Sequence, residues 1–190
     1  MNKNDIIALP NNHLRERSKK VGVITDDIKK LIEDMKAATL DWEASREHEV
    51  GVALAAVQVD KHLRIVVIRN NFDNKDDKTF AVFINPEITK YEGQVELDFE
   101  GCLSIKDVYG KVPRHTKVRI RAQDEDGHYF RITAEGFLAR VMQHEIDHTN
   151  GIVFIDRIKN APDAFFRLLD NGHLEKVDYE EKIRNNPILW

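Results

Sequence analysis

Cysteine is almost missing from this chain: Cys102 is the only one in 190 residues, so no internal disulfide can form, and a lone thiol is compatible with a reducing compartment. Proline and glycine are sparse, at five and nine residues, and no repeat, low-complexity tract or linker interrupts the sequence. Long apolar runs are lacking too. No stretch approaches the roughly 18 apolar residues of a membrane span, and "NKNDIIALPNNHLRERSKK" after Met1 has none of the apolar core, about 7–15 residues long, of a secretory signal. These absences point to the cytoplasm and to no membrane partner. A basic surplus is also absent. Lys plus Arg number 29 against 33 Asp plus Glu, a net charge of −4, which argues against nucleic acid or an anionic lipid surface as the main partner. What is present is 42% hydrophobic content, enough to bury a core, at a length that predicts one globular domain over residues 1–190.

Hydrophobic periodicity gives a first helix from Thr25, where Ile28, Leu31, Ile32, Met35 and Trp42 recur at helical spacing and Thr25 or Asp26 can cap the first turn. Short β-branched runs at 63–69, 80–84, 94–100, 117–123 and 128–132, separated by turn-rich segments such as "NNFDNKDDKT" and "DEDG", predict antiparallel sheet. A second helix is expected to start near Thr133, to carry Phe137, Leu138, Val141, Met142 and Ile146, and to stop at Asn150-Gly151. A further helical segment is expected around "PDAFFRLL", followed by a polar tail. In the strand at 117–123, Lys117, Arg119 and Arg121 alternate with apolar residues and read as a wet face.

The second helix carries "QHEIDH", residues 143–148. Residues four apart share a helix face, so His144 and His148 can offer two imidazoles to one metal while Glu145 reaches the adjoining space as a general base. The plain alternative is a polar helix with two hydrogen-bonded histidines. A catalytic metal usually takes three protein ligands and keeps a position for water. One protease pattern would place a third histidine where Phe154 stands. Another would use a downstream glutamate, of which Glu175 is the nearest. Cys102, in "EGCLS" at the end of a predicted strand, is the third candidate, and by itself a lone cysteine is more often a small buried hydrophobe. A Cys-His nucleophile pair is a further reading. His13, His48, His62, His115, His128 and His173 lack ligand spacing and read as surface residues. Gln143 and Asp147 read as structural.

Three stretches together, "GVALAAVQ" at 51–58, "EGCLS" at 100–104 and "QHEIDH" at 143–148, resemble in order and spacing the signature motifs of the peptide deformylases. The likeness extends to the preceding helix, the sheet between the motifs and "VPR" at 112–114. It implies an α+β fold with antiparallel sheets packed around a central helix that carries the histidine motif. It also implies a metallohydrolase that removes the formyl group from the N-terminal formylmethionine of new polypeptides. Its metal ligands would be Cys102, His144 and His148, holding Fe2+, with Zn2+, Ni2+ or Co2+ able to substitute. Such an ion lowers the pKa of bound water, toward about 7 in the best-known zinc case. Glu145 would handle the proton, while the Gln58 side-chain amide and the Leu103 backbone N–H would face the formyl oxygen. Gly51, Val52, Ala53, Glu100 and Gly101 would lie along the substrate, an N-formylmethionyl peptide, and Glu100 would also orient a ligand. Taken outside its motif, Gln58 reads equally as a cap of the "LAAV" segment.

The chain departs from the family pattern in two places. Ala53 stands where the motif has a second glycine, which raises either a narrowed groove or an ordinary backbone with the methyl turned into the core, the latter favoured by the packing residues that follow. Ile105-Lys106 replaces the common Ile or Val followed by proline, so that loop is expected to be shaped differently. Residues 161–190 hold four Lys or Arg against six Asp or Glu and offer no basic helix for ribosomal RNA, leaving a transient ribosome contact as an open expectation.

Overall fold

A computed structural model describes all residues, 1–190. Its helices are α1 (Asp26–Ala44), α2 (Gly136–Thr149) and two single turns, α3 (Phe154–Arg157) and α4 (Tyr179–Lys182). Its strands are β1 (Ala53–Ala55), β2 (Ile65–Arg69), β3 (Phe80–Cys102), β4 (Ile105–Gln123), β5 (Tyr129–Glu135), β6 (Phe165–Leu168) and β7 (Leu174–Lys176). The architecture is mixed α and β, with every strand pair antiparallel. No helix is long and apolar enough to cross a membrane.

Strands β1, β2, β3, β4, β6 and β7 are neighbours in that order, and β5 pairs with the far half of β4. The long β3–β4 hairpin joins the two parts. The C-terminal half of β4 pairs Lys117–Gln123 with β5, and its N-terminal half pairs Val108–Gly110 with β6. Register shifts at Ile84/Glu87, Ile88/Lys90, Glu92/Val95 and Glu100/Cys102 bend it, as bulges do. The separate strands expected at 80–84 and 94–100 are thus one bent strand.

Both faces of β2 are covered, which is why "IVVI" reads as an unbroken apolar run rather than an alternation. Ile65 and Val67 pack with Leu54 and the α1 residues Leu31, Ile32, Met35 and Trp42. Val66 and Ile68 face the other way, with Ala53, Ala55 and the α2 residues Met142 and Ile146. The α1 start is as expected: Thr25 Oγ1 accepts from the Ile28 N–H, and Asp26 and Asp27 sit in the first turn, where the helix dipole favours negative charge.

Three expectations fail. The second helix begins at Gly136, not Thr133, because Thr133, Ala134 and Glu135 continue the ladder of β5 against Arg119, Val118 and Lys117. Gly136, at φ +57°, makes the corner from strand to helix, a conformation few other residues adopt freely. Phe137, in the first turn of this helix, is half exposed. "PDAFFRLL" is not helical: after one 3-10 turn, Pro162–Ala164, Phe165 enters strand β6 and is fully buried. Nor is the tail merely polar, since Ile183 and Leu189 join Phe154, Ile158 and Phe165 in a third apolar cluster.

Candidate active site

The face of α2 turned to the sheet is polar where it meets Cys102. Cys102 Sγ lies 3.2 Å from His148 Nε2, and His148 Nε2 lies 3.1 Å from His144 Nε2. Both histidines are buried. Ligand atoms around a tetrahedral ion about 2.0–2.3 Å away stand about 3.3–3.7 Å apart, so the three atoms have nearly the spacing that an ion would impose. Without a cation this would be a poor arrangement, with two imidazole nitrogens and a thiol converging in a site shielded from water. Burial lowers the proton affinity of both rings. For His144 the Cys102 thiol and Glu100 outweigh it and raise the pKa well above the usual value. For His148 the charge on His144 adds to burial, and the pKa falls well below it. The donor set therefore fits a metal ion.

A tier of charged hydrogen bonds stands behind His144, while His148 Nδ1 is buried without a partner. Glu100 Oε2 lies 2.9 Å from His144 Nδ1, which aims Nε2 at the other ligands, the usual support for a ligating histidine. Arg114 donates to both Glu100 oxygens, at 2.9 and 3.0 Å, and at 2.5 Å to Asp147. Arg140 adds a 2.9 Å bond to Glu100, and Arg157 closes on Asp147 from outside. Burial pushes the Glu100 pKa up, yet the hydrogen bonds from His144 and Arg114 prevail and hold it down to about 2. Arg114 and Arg140, buried at the centre of this network, were not singled out by sequence reasoning. The only signal was "VPR" itself. Gln143 is structural, bonding the His115 backbone at both its N–H and its carbonyl.

On the open side of the three ligands lies a cavity of about 230 Å³. Gln58, Glu100, Cys102, Leu103, His144 and Glu145 line its polar part. Gln58 donates to Cys102 Sγ at 3.5 Å and to Ser104 Oγ at 3.1 Å, while its carbonyl accepts from the Ala55 N–H at 2.9 Å. It therefore caps the turn after "LAA" and presents its NH2 to the metal position at once. Glu145 Oε2 is buried with no hydrogen-bond partner, and burial raises its pKa to about 7. The apolar walls are Trp42, Val50, Val52, Ala53, Phe99, Phe137 and Val141. Trp42, expected only as part of the apolar stripe of α1, and Phe99, from the bent part of β3, were not expected at the site. Gly101 lies along the same rim, where an added Cβ would come within 2.6 Å of the Tyr109 ring. Tyr109 in turn donates to Glu49 at 2.8 Å. Gly51 is buried beside this rim, its N–H bound to Glu43 at 2.9 Å.

Ala53 has an ordinary negative φ, since the only non-glycine residues in the left-handed region are Asp60, Asn85 and Asp107. Its methyl belongs to the apolar cluster beneath α2, so this site does not demand glycine conformation. Glu175, the alternative ligand, is exposed on β7 and bonds Arg167 at 2.8 Å. Phe154 stacks against the His144 ring, with centroids 6.1 Å apart and planes at 24°. Lys117, Arg119 and Arg121 pair with Glu135, Glu92 and Glu87 along an exposed strand face. Of the remaining histidines, His62 and His115 are half-buried rather than fully on the surface.

The family model for polypeptide deformylase matches residues 3–163. The chain is 40% identical over 171 residues to peptide deformylase 1 of Pseudomonas syringae pv. tomato, covering 89% of this chain and 95% of that one. It is 41% identical over 180 residues to the peptide deformylase of Psychrobacter arcticus, covering 94% and 88%. Among solved structures, the peptide deformylase of Synechococcus elongatus in complex with actinonin superposes with a TM-score of 0.74 at 35% identity, covering 82% and 80% of the two chains.

Proposed function

The chain belongs to the polypeptide deformylase family, hydrolases acting on formylated N-termini, and we propose that in it Cys102, His144 and His148 hold the catalytic metal while Glu145 and Gln58 act on the formyl group. The observation that carries the assignment is the convergence of three ligand atoms, adjacent pairs 3.1 and 3.2 Å apart, on a cavity with a buried, unpartnered carboxylate. When bound, the ion supplies Lewis-acid activation of water and of the formyl oxygen. A thiolate with two imidazoles suits Fe2+ and equally accepts Zn2+, Ni2+ or Co2+; the family likeness favours Fe2+.

The chain's own residues do the rest. Glu145, with a pKa near neutrality and an open oxygen in the cavity, takes a proton from the attacking water and returns it to the departing amine. Gln58 Nε2, held by its carbonyl bond to Ala55, is positioned to donate to the formyl oxygen as charge builds there, together with the Leu103 N–H. One such donor is typically worth about 3–4 kcal/mol. The substrate backbone lies along Val52, Ala53 and Gly101, with Gly51 buried behind them, and the walls from Trp42 to Val141 suit an unbranched thioether side chain. Glu100 acts through His144 rather than on the peptide.

This reading makes α2 the central helix of the fold, which the burial of every residue from Ala139 to Thr149 supports. It treats residues 1–190 as one deformylase-like domain acting in the cytoplasm on N-formylmethionyl peptides as they leave a ribosome, with any ribosome contact transient. Formate release from a formyl-Met peptide tests it. Metal-loaded protein should release formate, and Glu145→Gln should keep its metal while slowing release about 100-fold or more. An unchanged rate would place the base elsewhere.

A further inference from the structure

We propose that His13, Asp60 and His62 form a second divalent-cation site, separate from the Cys102 centre and independent of the hydrolytic reading. The residues come from two segments. His13 lies on the 3-10 turn Asn12–Arg15, and Asp60 and His62 follow the turn that carries Gln58. Each brings one ligand atom, and these lie within 4.8 Å of one another. His13 Nδ1 is 2.6 Å from Asp60 Oδ1, and the two imidazoles meet edge to face with centroids 5.4 Å apart. His62 Nε2 is sealed from solvent with no aligned hydrogen-bond partner, its nearest carboxylate oxygen being Glu16 Oε2 at 3.3 Å.

Ligands around a zinc ion about 2.0–2.1 Å away sit about 3.3 Å apart, so side-chain rotations of about an ångström close this cluster on a cation. The side chains of His13 and Asp60 are 49% and 50% exposed and free to make that adjustment. Two imidazoles with one carboxylate, and Glu16 as a fourth ligand, favour Zn2+, Ni2+ or Cu2+ over Mg2+ or Ca2+. The competing arrangement is a charged pair alone, in which the hydrogen bond to Asp60 raises the proton affinity of His13. A cation displaces that proton. The other exposed trio, Asp124, Asp126 and His128, is less suited: Asp124 Oδ1 already accepts the N–H groups of Asp126 and His128 in closing a turn.

A cation here would clip the turn at Asn12–Arg15 to the loop after Gln58, beside the existing bond from the Ile7 N–H to the Gln58 carbonyl at 2.8 Å. The site is thus a staple between the N-terminal segment and the first motif.

Equilibrium dialysis of the metal-loaded protein against Zn2+ tests this. A second equivalent should bind and raise the melting temperature. His13→Gln, a change at an exposed side chain, should weaken that equivalent about tenfold or more while leaving the first equivalent and formate release unchanged, and Asp60→Asn should weaken it too. Cys102→Ser should keep the second equivalent while losing the first, so a failure of the surface site is distinct from a failure of the buried one. A single equivalent in the unaltered protein, or a second one indifferent to both His13→Gln and Asp60→Asn, would overturn the proposal.

Discussion

Two clusters in this molecule bring together side chains able to hold a metal ion, and they differ in what stands behind them. At Cys102, His144 and His148, the ligand atoms are near their final spacing because Glu100, Arg114, Arg140 and Asp147 lock the surroundings. At His13, Asp60 and His62 the side chains of His13 and Asp60 are about half exposed, and their one close contact is His13 Nδ1 to Asp60 Oδ1 at 2.6 Å. Burial, with Glu100 braced behind His144, turns a group of ligands into a preorganised centre. Exposure leaves a group that must be gathered by its ion.

The largest break in this comparison comes from Cys102→Ser. A neutral hydroxyl cannot replace a thiolate among three ligands, so the buried metal and formate release should both be lost. Stoichiometric metal with full activity in that variant would remove the assignment. The bracing itself is tested by Glu100→Gln, which leaves Arg114 and Arg140 without their charged partner. Breaking a buried pair typically costs about 3–5 kcal/mol, and loss of a ligand's support about 10–100-fold in metal affinity. Denaturant midpoints and metal competition measure the two.

The same carboxylate sets a pH dependence. Its pKa is lower in the folded chain, about 2, than the ordinary 4.5, so its contribution is complete above the ordinary value. That contribution is lost as pH falls from there toward about 2. The acid limb of stability should be shallower in Glu100→Gln, and an identical limb would show that other groups govern it.

The smallest effect is expected at Ala53, where the backbone is ordinary and the methyl is buried. Ala53→Gly should cost about 1 kcal/mol of stability through backbone entropy and a lost contact and should not raise kcat/KM. A fivefold gain would show instead that the methyl obstructs the peptide.

Helical spacing alone placed His144 and His148 on one face of a helix with Glu145 reaching the adjoining space, and Thr25 with the apolar stripe after it marked where α1 begins, because those are properties of neighbouring residues. Whether the third ligand was Cys102 or Glu175 was open to spacing and was pointed to only by the motif resemblance. Tertiary structure sets the two residues in different places: the bend at Glu100/Cys102 carries the thiol to 3.2 Å from His148, and β7 carries Glu175 to an ion pair with Arg167. "PDAFFRLL" misled because its spacing suits a helix, while pairing with Val108–Gly110 and burial of Phe165 draw it into the sheet. Likewise, the residue type of Arg114 says nothing of its place between Glu100 and Asp147, and His13 has no ligand spacing until folding sets it 2.6 Å from Asp60. Local periodicity and capping are written within a few residues of chain; hydrogen-bond partners brought from dozens of residues away are decided only when sheet register and helix packing fix their distances.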